Sequence, residues 1–224
     1  MVKRILPTCF AFFLLGTLSG YAQSKGGLKV RTLNLGGGGM ESVFLQSKDT
    51  YLPLQFSGRQ FSLSYSANHQ NPLPIFKEDS SAEESKYRSV AQVKLPTDAK
   101  SILLLGWKEK EGYAFKALAD NFESEGPNKW ILVNTTKKEI AFQVGKENKA
   151  IVLNPGATET YRVLSDKDRG VAATGVIKGE KKPFYSTYWA IRGGKRNVVL
   201  FLGKKEKVIV QKILDGGPPK KENE

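Results

Sequence analysis

Cysteine is almost absent from this chain. Cys9 is the single one in 224 residues, and it falls in an N-terminal segment that reads as a cleaved leader. The chain after that leader has no thiol, which excludes disulfides, thiolate-bound metals and cysteine nucleophiles. Histidine is nearly as scarce. Any Ser-His-Asp or Cys-His mechanism would have to use His69, which lies in a Ser66-to-Pro72 loop with no nucleophile motif beside it. Zinc sites usually take several Cys or His ligands, which this composition does not supply. After the leader, no segment approaches the ~18 apolar residues of a membrane-spanning helix. No stretch shows the apolar periodicity of a helix of three or more turns. Gly36 to Gly39 follows a strand pattern but lacks the GK[ST] of a phosphate loop, so it reads as a flexible turn.

The leader itself is well marked. Lys3 and Arg4 give a positive start, Ile5 to Leu18 is mostly apolar, and Gly20 and Ala22 suit the −3 and −1 positions of a signal-peptidase site. Residues 1–22 are therefore expected to be a signal peptide, cut near Ala22, and the mature protein to be secreted or periplasmic. Leu6-Pro7-Thr8-Cys9 does not make a lipoprotein box, because the apolar core follows Cys9 instead of preceding it. Export without disulfides fits a bacterial envelope or exterior. In that setting the glycosylation-like triplet Asn134-Thr135-Thr136 reads as chance.

The charge is strongly basic. Thirty-five Lys and Arg against 22 Asp and Glu give a formal +13, and removal of Lys3 and Arg4 leaves +11. Such a balance favours anionic partners: an anionic glycan or the envelope surface itself. The lysines are scattered along the chain, and aromatic residues are not interleaved with them as a nucleic-acid site would need, so nucleic acid is not indicated. A protein partner remains a second class. No cofactor is indicated. Glu78, Asp79, Glu83 and Glu84, or Asp120, Glu123 and Glu125, have oxygens that calcium could use, but neither group has an ordered loop pattern and both read as solvated acidic loops.

The most informative positive feature is an internal repeat. Tyr87 to Lys110 set against Phe184 to Lys207, at a constant offset of 97, gives seven identities in 24 pairs. They are Ser89 with Ser186, Leu103 with Leu200, Leu105 with Leu202, Gly106 with Gly203, and Lys108-Glu109-Lys110 with Lys205-Glu206-Lys207. About one or two would arise by chance at average residue frequencies. Around this repeat the chain reads as many short strands separated by Gly and Pro turns. The expected fold is all-β: two tandem immunoglobulin-like β-sandwich units from an internal duplication, with one larger sandwich and a shared core as the alternative. The expected boundaries are 23–125 for unit 1, 126–215 for unit 2 and 216–224 for a disordered tail, with Gly126-Pro127 between the units. The runs Ile102 to Leu105 and Val198 to Leu202 are apolar on both sides, as central strands would be, covered on their second side by the other half.

Alternation assigns faces. In Tyr87 to Leu95 the odd residues Tyr87, Ser89, Ala91, Val93 and Leu95 form the core side. Carried across at 97, this places Phe184, Ser186, Tyr188 and Ala190 inward, and Tyr185, Thr187, Trp189 and Ile191 outward. An outward Tyr185 and Trp189 need a cover or a task. Packing between the two halves would cover them. A flat platform for sugar rings is the candidate binding site, with no catalytic residues and no metal. The functional expectation is an exported, non-catalytic protein with a binding or structural role at the envelope or exterior. A secreted carbohydrate-active hydrolase with unidentified carboxylates is the alternative.

Overall fold

The computed structural model describes residues 27–35, 39–79, 86–109, 111–122, 129–145, 148–163, 170–192 and 194–218. The leader, the Gly36–Gly38 run, the Gly126-Pro127 connector and the last six residues lie outside them.

Sixteen strands are present among the described residues. The first eight are β1 (Leu28–Leu35), β2 (Val43–Ser47), β3 (Thr50–Leu54), β4 (Tyr65–Ala67), β5 (Leu73–Glu78), β6 (Tyr87–Val93), β7 (Ser101–Glu109) and β8 (Gly112–Ala119). The second eight are β9 (Lys129–Asn134), β10 (Ile140–Val144), β11 (Ile151–Leu153), β12 (Thr158–Arg162), β13 (Val171–Ile177), β14 (Tyr185–Trp189), β15 (Arg196–Lys204) and β16 (Lys207–Asp215). Unit 1 has two four-stranded sheets, ordered β4-β1-β7-β8 and β3-β2-β5-β6. Unit 2 has β12-β9-β15-β16 and β11-β10-β13-β14. Adding eight to each label of unit 1 yields unit 2, so the duplication is complete in topology. It includes the parallel pairing of β1 with β7 and of β9 with β15.

The sheets stack in four layers with three apolar cores. Val30, Val43, Leu45, Ile75, Ile102 and Leu104 are among the residues closing unit 1. Trp130, Leu132, Phe142, Val144, Val199 and Phe201 help to close unit 2. The third core lies between the two inner sheets, where Leu33, Leu103, Leu105 and Leu118 meet Ile131, Val133, Val198, Leu200 and Ile213. Each unit is thus a sandwich in its own right, and the halves also share an interface core. This is why Ile102 to Leu105 and Val198 to Phe201 are all buried: alternate residues face different cores.

At one end of the third core the apolar layer gives way to charge. Arg31, at the inner-sheet face of β1, donates from Nη1 and Nη2 to the two carboxylate oxygens of Asp215 at 2.8 and 2.9 Å. Its Nε donates to Asp120 at 2.9 Å. Arg196 donates from Nη2 to Asp120 at 2.8 Å and to Asp215 at 2.5 Å. All four side chains are within 3 % of full burial. The guanidinium of Arg31 lies 5.3 Å from the Phe61 ring and that of Arg196 lies 5.2 Å from the Phe122 ring. Two cations and two anions, two from each unit, therefore form a neutral ring that bolts the inner sheets together. Gln211 adds a bond across the units to the Gly58 carbonyl.

Strand pairing corrects the constant offset of 97. Ser89 and Ser186 do occupy equivalent strands, opposite Phe76 and Thr174, and both are exposed. In β6, however, Phe76 pairs with Ser89 and Ile75 with Ala91, so Val90 has no opposite number. This bulge reverses side-chain direction in the rest of the strand. Unit 2 has no bulge there, because Gly175 to Val171 pair without a break with Tyr185 to Trp189. The offset is then 96 for Val93, opposite Leu73, against Trp189, opposite Val171. It becomes 95 for the hairpins, where Glu109 pairs with Gly112 and Lys204 with Lys207. The matched glycines are not equivalent either. A Cβ on Gly106 would meet the Phe56 ring at 2.8 Å, whereas one on Gly203 would meet nothing within 4 Å.

The bulge also explains the outer face of unit 1. Upstream of it, Tyr87 and Ser89 point away from the core, not into it as alternation alone implied. Tyr87 stacks on Tyr51 with ring centroids 4.0 Å apart, and the two close over Phe44 and Phe76, which meet them edge-on at 4.9 Å. Four rings thus form a small satellite core on a solvent-side face, leaving Phe44 buried.

The ionic ring sets a pH response. Burial pushes the Asp215 carboxyl up, but the hydrogen bond from Arg31 and the charges of Arg196 and Arg31 outweigh it and hold the group below the usual aspartate range. A depressed carboxyl stabilises the fold above its unfolded value, about pH 3.9, and that contribution is lost as pH falls through the folded value. Asp215→Asn should cost about 3–5 kcal/mol near neutrality, because both arginines lose their shared partner. The gap between variant and parent should narrow in urea melts below about pH 4. A gap that stays constant from pH 7 to pH 3 would contradict this account.

Candidate binding cleft between the units

Tyr185 and Trp189 do not form a solvent-facing platform. Trp189 is only 9 % exposed and belongs to the core of unit 2, stacked 5.5 Å from Trp130 and tilted against Phe142 at 5.9 Å. Tyr185 packs against the same core, 5.7 Å from Trp189. The inward face is therefore Tyr185, Thr187, Trp189 and Ile191, the reverse of the expectation, while Ser186, Tyr188 and Ala190 face solvent. Phe184 lies inside as expected, over Gly175. The reason is the unit 1 bulge. Side-chain direction changes midway along β6 and does not along β14, so the inward set of one strand does not carry over to the other. The cover for Trp189 is its own sandwich, not the other half.

The aromatic and basic groups that do meet lie elsewhere. An open cleft of about 480 Å³ sits at the end of the inter-unit interface remote from the ionic ring. Leu35 at the end of β1, Trp107 on β7, and Leu202 and Val208 of the β15–β16 hairpin form its apolar floor. Trp107 and Leu202 are continuous with the third core. Lys108, Lys137, Lys138, Lys205 and Lys207 line the rim, with Glu206 as the one carboxylate among its lining residues. Local structure holds this rim in place. Asn134 is fully buried and its amide donates to the carbonyls of Lys138, Leu153 and Asn154 at 2.8, 3.0 and 3.1 Å. Its side-chain oxygen accepts from the Thr136 N–H and hydroxyl at 2.9 and 2.8 Å. Thr135 donates to the Phe201 carbonyl at 2.8 Å, tying the turn to β15. Lys138 reaches the Glu206 carbonyl at 3.2 Å. Lys205 has φ of 54°, a conformation non-glycine residues adopt sparingly, at the tip of the hairpin that lines the cleft.

The sequence triplet at Asn134 therefore has a structural function. Its amide is engaged five ways and sealed from solvent, so it pins a basic turn and is no glycan acceptor in the folded chain. The lining of this cleft carries five ammonium groups against one carboxylate, so its local charge is strongly positive. The other candidates resolve locally. His69 contacts the Ala99 carbonyl at 3.2 Å in a half-buried loop. Glu78 pairs with Lys86 at 2.8 Å and Asp79 with Arg88 at 3.0 Å. Asp120 belongs to the ionic ring. Glu83, Glu84, Glu123 and Glu125 lie outside the described residues. Among the described residues no group of three or more His, Cys, Asp or Glu could hold a metal, and no helix is long and apolar enough to cross a membrane.

Sequence reading missed Trp107 and the Thr135-to-Lys138 turn. The available signal was three Lys-rich turns near 108, 137 and 205, which nothing local marked as neighbours. A scan against protein-family models finds no match for the chain, and a search of curated proteins finds none either.

With Trp189 in a core, Trp189→Ala should act as a cavity mutation and cost about 3–5 kcal/mol. Chemical denaturation checks the value. A loss under about 1 kcal/mol would mean that the indole is not packed as described.

Proposed function

We propose that the protein is exported and acts without catalysis, holding an acidic glycan of the bacterial envelope or exterior in the cleft between its two units. The observation that carries this reading is the five-lysine rim over a Trp107 and leucine floor. Ammonium groups bind carboxylates or sulfates through charge-assisted hydrogen bonds. An indole and aliphatic floor suits the apolar face of a sugar ring. The leader pattern supports export, and the formal charge of +11 left after removal of Lys3 and Arg4 supports an anionic partner at longer range.

Polygalacturonate, with dextran as its neutral counterpart, is a direct probe. The parent should bind the acid polymer and not dextran, and binding should weaken steeply between about 0.05 and 0.5 M salt as screening shortens. Lys137→Glu combined with Lys205→Glu should weaken it about tenfold or more, since each reversal removes an attraction and adds a repulsion. Lys48→Glu with Lys181→Glu, at exposed sites away from the cleft, changes the net charge equally and should have a much smaller effect. Equal losses in the two double variants would reduce the binding to bulk charge and end the cleft reading.

A further inference from the structure

The two units share a topology, so equivalent positions can be compared directly, and one end of the unit 2 core departs sharply from unit 1. Strand pairing equates Val30 with Trp130, Ile102 with Asn197, Ala117 with Lys212 and Val93 with Trp189. Unit 1 fills these positions with small or aliphatic side chains. Unit 2 fills them with two indoles, an amide and an ammonium.

Packing accounts for the two indole rings, which belong to the unit 2 core, but not for the polar atoms that come with these replacements. Asn197 is fully buried, and neither its amide nitrogen nor its amide oxygen has a hydrogen-bond partner. Trp130, its neighbour across the parallel ladder, is also fully buried with an unpartnered Nε1–H. Each unmet group costs about 1–3 kcal/mol, and an aliphatic side chain at position 197, as in unit 1, would avoid that cost. Lys212 is half-buried, with Nζ 5.8 Å from the centre of Trp130 and 5.2 Å from that of Trp189. It donates to the Ala190 carbonyl at 3.3 Å. Burial, and then the like charge of Arg192, push its ammonium below the usual lysine range. Two cations thus lie close to a buried cluster with two unmet N–H donor groups, on Trp130 and Asn197, and one unmet acceptor, the Asn197 amide oxygen.

We propose that this end of unit 2 is a carboxylate-binding site, with Lys212 and Arg192 supplying charge, Trp130 and Asn197 supplying hydrogen bonds, and Trp189 forming a wall. Carboxylate oxygens are acceptors only, which matches an N–H of Trp130, the amide N–H₂ of Asn197 and the Lys212 ammonium. The site is distinct from the lysine-rimmed cleft. Asn197 and Gly203 are six residues apart on β15, about 20 Å, and Asn197 faces the sandwich core while the cleft opens on the inter-unit face.

The chain has three tryptophans, so Trp107→Phe leaves Trp130 and Trp189 as the reporters. Their fluorescence is titrated with glucuronate, with N-acetylalanine and with glucose. A saturable change with at least one acid and none with glucose is expected. Response to glucuronate alone identifies a sugar acid, and response to N-acetylalanine alone a peptide C-terminus. Lys212→Gln should weaken the response at least tenfold. Asn197→Leu should abolish it while raising Tm, because it removes an unmet buried amide. No saturable change with either acid up to about 50 mM, weaker than any useful site, would overturn the proposal. So would an unchanged curve in Lys212→Gln or a lowered Tm in Asn197→Leu. The cleft variants Lys137→Glu and Lys205→Glu should leave this titration unaltered, so each reading can fail without the other.

Discussion

The contact between the two inner sheets decides everything downstream of the strand pattern. Its apolar part attracts without direction, since hydrophobic burial depends on area and not on angle. Its ionic part is directional. Arg31 meets Asp215 through two parallel N–H bonds, and each aspartate is shared by both arginines. Such a ring fits one alignment of the sheets and penalises sliding, because a displaced member would become an uncompensated buried charge. The cleft exists only in that alignment. Both units line it: Leu35, Trp107 and Lys108 come from β1 and β7 of one, and the rest from the turn after β9 and the β15–β16 hairpin of the other.

The ring is also where the duplication stops being symmetric. Asp120 and Asp215 are equivalent, the former bonded to the Ser101 backbone and the latter paired with Arg196. The arginines are not equivalent. Arg31 corresponds to Ile131 through the parallel ladders, and Arg196 corresponds to Ser101. Each unit therefore supplies one acid from a shared position and one base from a position of its own. The charge balance is even, although the geometry is not.

These details mark the limit of sequence reading. Strand composition, the repeat and the doubly apolar central strands were legible because each is a local pattern. Side-chain direction beyond Val90 was not. One extra residue in a bulge inverts every later side chain while leaving the residue matches intact. Ser89 and Ser186 remain true equivalents, and Trp189, a few residues on, is on the opposite side from its inferred place. The Lys-Glu matches around 108 and 205 likewise drift by two positions, because turns tolerate the same residues in neighbouring registers. The charged residues of the ring and the lysines of the cleft were invisible for another reason. A lone Arg31 or Asp120 looks like any solvated charge until the fold places its partner 89 or 184 residues away beside it.

The two units also differ in how much irregularity each core carries. Unit 1 holds an aliphatic interior and adds the Phe44, Tyr51, Phe76 and Tyr87 cluster on its outer face. Unit 2 buries an amide and an indole N–H with no partner. A domain of about 100 residues has a net stability of only about 5–15 kcal/mol, so two unmet groups are a large fraction of it. Fusion through the third core relaxes that constraint, since unit 2 gains apolar contacts on a face that a lone sandwich would expose to water. Sharing stability across an interface lets one copy tolerate buried polar groups that have no partner. In this molecule the departures from the shared plan fall in the copy whose neighbour keeps the simpler core.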